Sequence, residues 1–130
     1  MTDKDQTPYM AIGGHEALKK LVNVFYDKVS KHPDLAPIFP DDLTETARKQ
    51  TQFLTQFLGG PPIYSEEHGH PMLRARHMPF VITPERASAW LTCMNEALTE
   101  VGIPSPWREQ IFSRLTFTAH HMVNHANELD

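Results

Sequence analysis

Cysteine is nearly absent: Cys93 is the only one in 130 residues, so no disulfide can close within the chain. Positive charge is also scarce. Twelve Lys and Arg face 16 Asp and Glu, and the net charge of −4 offers no attraction to a polyanion, so nucleic acid is not an expected partner. No stretch approaches the roughly 18 to 20 apolar residues that cross a bilayer. The opening MTDKDQTPYM lacks the basic flank and apolar run of a secretory signal. A cytoplasmic protein without a membrane segment is the expectation. There is no internal repeat, no low-complexity tract and no Gly/Ser linker. At this length the chain supports one core, since two domains would each bury too little apolar surface.

The composition, 40% hydrophobic and 22% charged, is that of a folding globular chain. Helical periodicity dominates it. After Gly13-Gly14, the positions Leu18, Leu21, Val22, Phe25 and Val29 recur every three or four residues, which predicts an amphipathic helix ending near Ser30. Residues 34–40 are too short and proline-rich for a helix and predict a tight, partly buried corner. A second helix is expected over residues 42–58, stopped by Gly59-Gly60-Pro61-Pro62. Residues 61–70 read as a loop and 72–77 as a short helix ended by Met78-Pro79. Thr83-Pro84 pairs a cap with a first-turn proline and opens a helix stopped at Gly102; a last helix begins at Ser105-Pro106 and carries apolar positions to Ala126. Phe80-Val81-Ile82 is too short to make a sheet, so the class is all-α.

Two stripes run along the second helix. Leu43, Ala47, Leu54 and Leu58 are ordinary core positions; Thr46, Gln50, Phe53 and Phe57 set two polar groups in line with two phenylalanines. Tyr26 and Trp90 lie on or beside other apolar stripes. Buried phenol, indole, amide and hydroxyl groups need partners. Two readings stay open: a polar ligand that receives these groups, or a network that satisfies itself.

The eight histidines are weighed by position. His15 and His32 fall near helix ends, where solvation or capping suffices. His68 and His70 sit in a Gly- and Pro-bounded loop and read as structural. His121 and His125 have the i,i+4 spacing that presents two imidazoles to one zinc ion, which together with His120 keeps open a cofactor-free zinc or interaction module. His77 closes the run Leu73-Arg74-Ala75-Arg76-His77. It is either a helix-end histidine favoured by the dipole or a ligand whose ring projects from that end.

The runs Phe25-Tyr26, Ile38-Phe39-Pro40, QFLTQFLGGP at 52–61, YSEEHGHPMLRARHMPF at 64–80 and Ala89-Trp90-Leu91 together resemble the truncated haemoglobins of the second group. The resemblance extends from about Ile12 into the last helix. Its most specific part is Gly-His-Pro, four residues, Arg-His, then Pro-Phe after one more. It implies a shortened globin, helices packed two over two around haem b (iron protoporphyrin IX), with residues 12–130 as a single domain behind a flexible extension over 1–11. It implies that His77 binds the iron. By the same comparison Tyr26, Thr46, Gln50 and Trp90 match distal ligand-binding positions, and Phe39 packs on the porphyrin. Lys49, Tyr64 and Arg76 match positions that meet the propionates, while Phe53, Leu54 and Leu73 line the apolar pocket. Phe39 stands where some relatives carry tyrosine, and Thr46 and Gln50 where some carry smaller or apolar residues.

The function so implied is tight, slowly released O₂ at a ferrous iron, with nitric oxide, carbon monoxide and peroxide as further ligands, in scavenging, sensing or redox detoxification. A rival in another class is a haem enzyme that oxidises nitric oxide or uses peroxide. That reading needs an external reductase, because the chain has no flavin or nicotinamide motif.

Overall fold

The computed structural model describes residues 7–69, 78 and 81–124. The expected helix over 72–77, with Leu73, Arg76 and His77, lies outside the described residues, as do His70 and His125. Among the described residues there are helices and no strand: α1 (Pro8–Ala11), α2 (Gly14–Lys31), a 3-10 turn (Ala36–Ile38), α3 (Thr44–Phe57), α4 (Ile63–His68), α5 (Pro84–Glu100) and α6 (Trp107–Met122). None is long and apolar enough to cross a membrane.

Helix α2 follows from its periodicity. Leu18, Leu21, Val22, Phe25, Tyr26 and Val29 are all buried along one face, and Lys28 and Lys31 occupy the last turn, where cations oppose the negative end of the dipole. At its start Gly13 and Gly14 have φ of 116° and 69°, left-handed values that a side chain would strain. At its end the His32 ring accepts a hydrogen bond from the Asp34 N–H at 3.1 Å, which turns the chain into the corner. There Leu35 is buried in the core.

α2 packs against α3 on one side and α5 on the other, and α5 packs against α6. The molecule is therefore two helix pairs joined through the α2–α5 contact. Lys28 and Glu100 tie those two helices at the surface with a 2.9 Å ion pair. Thr83 caps α5 as its sequence predicts, its hydroxyl accepting from the Arg86 N–H at 3.1 Å, which satisfies one otherwise orphaned donor.

Two segments differ from expectation. Residues 61–70, read as a loop, contain the six-residue α4; Pro61, Pro62 and Gly69 mark its ends rather than its absence. Within the expected extension, Thr7 caps α1 by accepting from the Met10 N–H at 3.2 Å, and the Tyr9 N–H donates to the Leu58 carbonyl at 2.9 Å. This lays α1 across the Gly59-Gly60 turn. A Cβ on Gly60 would stand 2.8 Å from Tyr9 Cδ2 and 2.9 Å from the Thr55 carbonyl oxygen. The backbone oxygen cannot yield, so Gly60→Ala should destabilise the fold by about 1–3 kcal/mol, the usual cost of overpacking. Urea unfolding measures it; an unchanged midpoint would show that the turn has room after all.

Candidate functional site

Four aromatic residues from three parts of the chain meet where the two helix pairs join. The Phe25 ring, fully enclosed, lies edge-on to Tyr26 at 4.8 Å and to Trp90 of α5 at 5.0 Å between centroids. Tyr26 in turn meets Phe39, just after the 3-10 turn, edge-on at 6.0 Å. One turn of α2 thereby collects a phenol, an indole and a phenyl ring from α2, α5 and the corner. Such edge-to-face pairs also restrict ring orientation.

Helix α3 packs against the same helix, α2. Thr46, Gln50, Phe53 and Phe57 are all half-buried, beside the fully buried Leu54 and Leu58. This stripe contacts the core without being absorbed into it, unlike Thr51 and Thr55, whose hydroxyls bond back to the Ala47 and Thr51 carbonyls at 2.9 and 2.8 Å. Phe53 stacks on Phe57 at 5.4 Å and meets Tyr64 of α4 edge-on at 5.9 Å. Lys49 is exposed on the next face of α3, and Tyr64 is buried. Leu54, expected in the lining, has no exposed surface and belongs to the central core.

The polar groups decide what the site can do. Among the described residues no hydrogen bond engages the Tyr26 hydroxyl, the Trp90 indole, the Gln50 amide or the Thr46 hydroxyl, and no sealed side-chain nitrogen or oxygen is left unpaired. Tyr26 is only 7% exposed. Its hydroxyl therefore keeps a narrow opening beyond the packed core instead of being spent within it, and among the described residues the self-satisfied network considered above does not form. Burial pushes the phenol well above its ordinary value, because a phenolate there would lose hydration. The group is thus a neutral donor at any physiological pH.

Rings that present flat apolar faces, together with neutral donors at their edge, suit a planar apolar macrocycle carrying a small polar ligand. A haem fits this donor set. The surface presents other candidates. A cavity of about 210 Å³ beside Glu16, Lys20 and Ile103 contains none of the aromatic or donor residues. His120 and His121 are exposed on α6, and among the described residues no three His, Cys, Asp or Glu side chains are grouped to hold a metal.

Sequence reasoning missed the residues that seat α4. Gln56 accepts from the Ser65 N–H at 2.9 Å and donates to its hydroxyl at 2.8 Å. Arg48 reaches Glu67 at 2.7 Å. The signal was available as the four-residue recurrence of Arg48, Gln52 and Gln56, a polar stripe beside the aromatic one.

Residues 7–124 match the family model of bacterial-like globins. The chain is 63% identical over 123 residues to the group 2 truncated hemoglobin YjbI of Bacillus subtilis, covering 95% of this chain and 92% of that protein. The crystal structure of the group II truncated hemoglobin of Bacillus anthracis superposes with a TM-score of 0.93 at 65% identity, over 94% of this chain and 99% of that one. A truncated oxygen-avid haemoglobin of Bacillus subtilis gives a TM-score of 0.89 at 65% identity, over 92% and 100% of the two chains. The chain belongs to the bacterial-like globin family and, within it, to the group II truncated haemoglobins. Binding of haem, iron and oxygen follows from that membership.

The desolvated phenol has a measurable consequence. Its folded pKa lies above the unfolded value of about 10, so its contribution is complete below that value and falls steadily as pH rises from there toward the folded value, where the unfolded chain is ionised and the folded one is not. Tyr26→Phe should therefore show a shallower alkaline loss of stability than the parent. Urea midpoints between about pH 9 and 11 test this; parallel declines would show a solvated phenol.

Proposed function

We propose that this protein holds O₂ tightly and releases it slowly from a non-covalently bound haem b, whose iron the imidazole of His77 would hold. Iron in the bound haem would take up a diatomic ligand and shift electron density onto it. The chain's own contribution is to meet that negative charge. Tyr26 and Trp90, together with Gln50 of α3, would provide O–H and N–H donors at the edge of an apolar site, where a charge-assisted hydrogen bond is stronger than in water. The observation that carries the reading is the Tyr26 hydroxyl, buried, neutral and bonded to no described residue.

Other features agree. Ring contacts to Phe25 limit the motion of Tyr26 and Trp90, so the donors pay little orientational entropy when a ligand arrives. Phe39 brings a ring without a hydroxyl, which leaves the donor work to Tyr26, Trp90 and Gln50. Thr46 borders the same distal stripe. Phe53 offers an apolar face, and Lys49, Tyr64 and Arg76 supply the polar partners for haem carboxylates. Cys93, the single thiol, is buried on α5, so there is no cysteine pair for thioether attachment and the cofactor would be held without covalent bonds. A structural neighbour from Bacillus subtilis is itself described as oxygen-avid. Strong retention suits scavenging, sensing or redox detoxification better than delivery, because a carrier must let go. The same donors would meet nitric oxide or carbon monoxide.

Each donor is worth about 1–3 kcal/mol, so Tyr26→Phe should speed O₂ dissociation by roughly 5- to 150-fold, read by stopped-flow displacement. Trp90→Phe should act in the same direction. Unchanged dissociation in both variants would place the retaining donors elsewhere. His77→Ala should abolish the axial-imidazole signature of the visible spectrum and weaken haem retention; a native spectrum in that variant would remove His77 from the role.

A further inference from the structure

Helix α4 has six residues and buries only Tyr64. A segment this short has no helical stability of its own, so its conformation is imposed by what grips it. The grip is the polar stripe of α3. Gln56 holds Ser65 through two hydrogen bonds of 2.8 and 2.9 Å. Gln52 donates to Glu67 Oε1 at 3.0 Å, and Gln52 Oε1 lies 2.8 Å from His68 Nε2. Arg48 contacts the same Glu67 carboxylate and is itself steadied by Glu45 at 3.0 Å.

These bonds have a direction. A carboxylate can only accept, so Glu67 obliges Gln52 to point its amide nitrogen that way and its oxygen toward His68. The amide oxygen can only accept in turn, so His68 carries its proton on Nε2. His68 Nε2 also lies 3.3 Å from Glu67 Oε2, so Gln52 and Glu67 together fix the imidazole in both tautomer and orientation. It lies 4.8 Å from the Tyr64 ring, and Tyr64 is edge-on to Phe53 at 5.9 Å. Arg48 and Gln52 keep the Glu67 carboxyl down at about 2, so the anchor persists through the physiological range.

We propose that Gln52 is a positioning residue for haem retention: by orienting His68 against Tyr64 it wedges the tyrosine on Phe53 and so sets where the Tyr64 hydroxyl meets a haem carboxylate. This rests on the haem-binding reading and deepens it. The relay acts on the carboxylate side of the cofactor, whereas Tyr26 and Trp90 act on the ligand, so the two effects separate kinetically.

Gln52→Leu keeps the bulk of the side chain and removes both bonds. Haem transfer from the holoprotein to excess apomyoglobin should quicken about tenfold, the effect of losing roughly one net hydrogen bond to a charged partner, while O₂ dissociation stays within about twofold of the parent. In the Tyr64→Phe background the same substitution should add nothing, because the hydroxyl it places is gone; a general loosening of the fold would instead multiply the two effects. In the apoprotein, the Tyr64 ring-proton resonances should lose the ring-current shifts imparted by Phe53 and His68. If Gln52→Leu does not fold, Gln52→Asn breaks the same bridge by shortening it. Unchanged haem transfer, an equal change in O₂ dissociation, or multiplying effects in the double variant would each overturn the proposal. If the parent protein takes up no haem, the functional reading fails, and the Tyr64 resonances of the apoprotein decide the relay by themselves.

Discussion

Phe25 is the residue on which the site depends. It fills the joint between α2 and α5 and lies edge-on to both Tyr26 and Trp90. Burial of such a ring stabilises the core by an amount that truncation would forfeit at about 3–5 kcal/mol. The same contacts set the positions of two donors carried by helices that are 64 residues apart in sequence numbering, from Tyr26 to Trp90. Stability and donor geometry are thus consequences of one packing contact. The next residue along α2 is Tyr26, which lies at the margin of the core because adjacent helical positions differ by about 100°.

The molecule handles polar groups near its core in two ways. Thr51 and Thr55 return their hydroxyls to the carbonyls one turn back, so they add polar atoms to a helix without needing any partner outside it. Tyr26, Trp90, Gln50 and Thr46 leave their polar groups unspent among the described residues. A fold selected for stability alone would favour the first treatment throughout, since an unmade hydrogen bond at a desolvated group costs about 1–3 kcal/mol. The half-buried Tyr9 and Trp107 are treated in the same way, so an open polar group by itself does not mark a site; Tyr26 is set apart by being almost wholly buried.

Short elements obey different rules from long ones. α2, α5 and α6 are amphipathic over four or more turns and bury their own apolar faces. α1 and α4 bury almost nothing themselves. α1 depends on the Gly59-Gly60 turn, where the absence of side chains lets Thr7 and Tyr9 approach, and α4 depends on the Arg48, Gln52 and Gln56 stripe. Exposed ion pairs such as Lys31 with Asp27 contribute little beside these contacts.

Local pattern determined the all-α class and the long helices, because hydrophobic spacing, the Thr83-Pro84 start and glycine stops are local chemistry read over neighbouring residues, whereas the expected start at Ser105-Pro106 gives way to a helix from Trp107 with no side-chain cap. The matched runs around Phe25-Tyr26, the Gly59-Gly60 turn and Trp90 carried the family as well. The helical state of residues 63–68 was not legible, since prolines before it and a glycine after it look the same around a loop as around a helix held from outside. Nor could spacing say whether Tyr26, Gln50 and Trp90 would satisfy one another. That outcome depends on three-dimensional distance between groups far apart in the chain, and only the packing of α2 between α3 and α5 decided it.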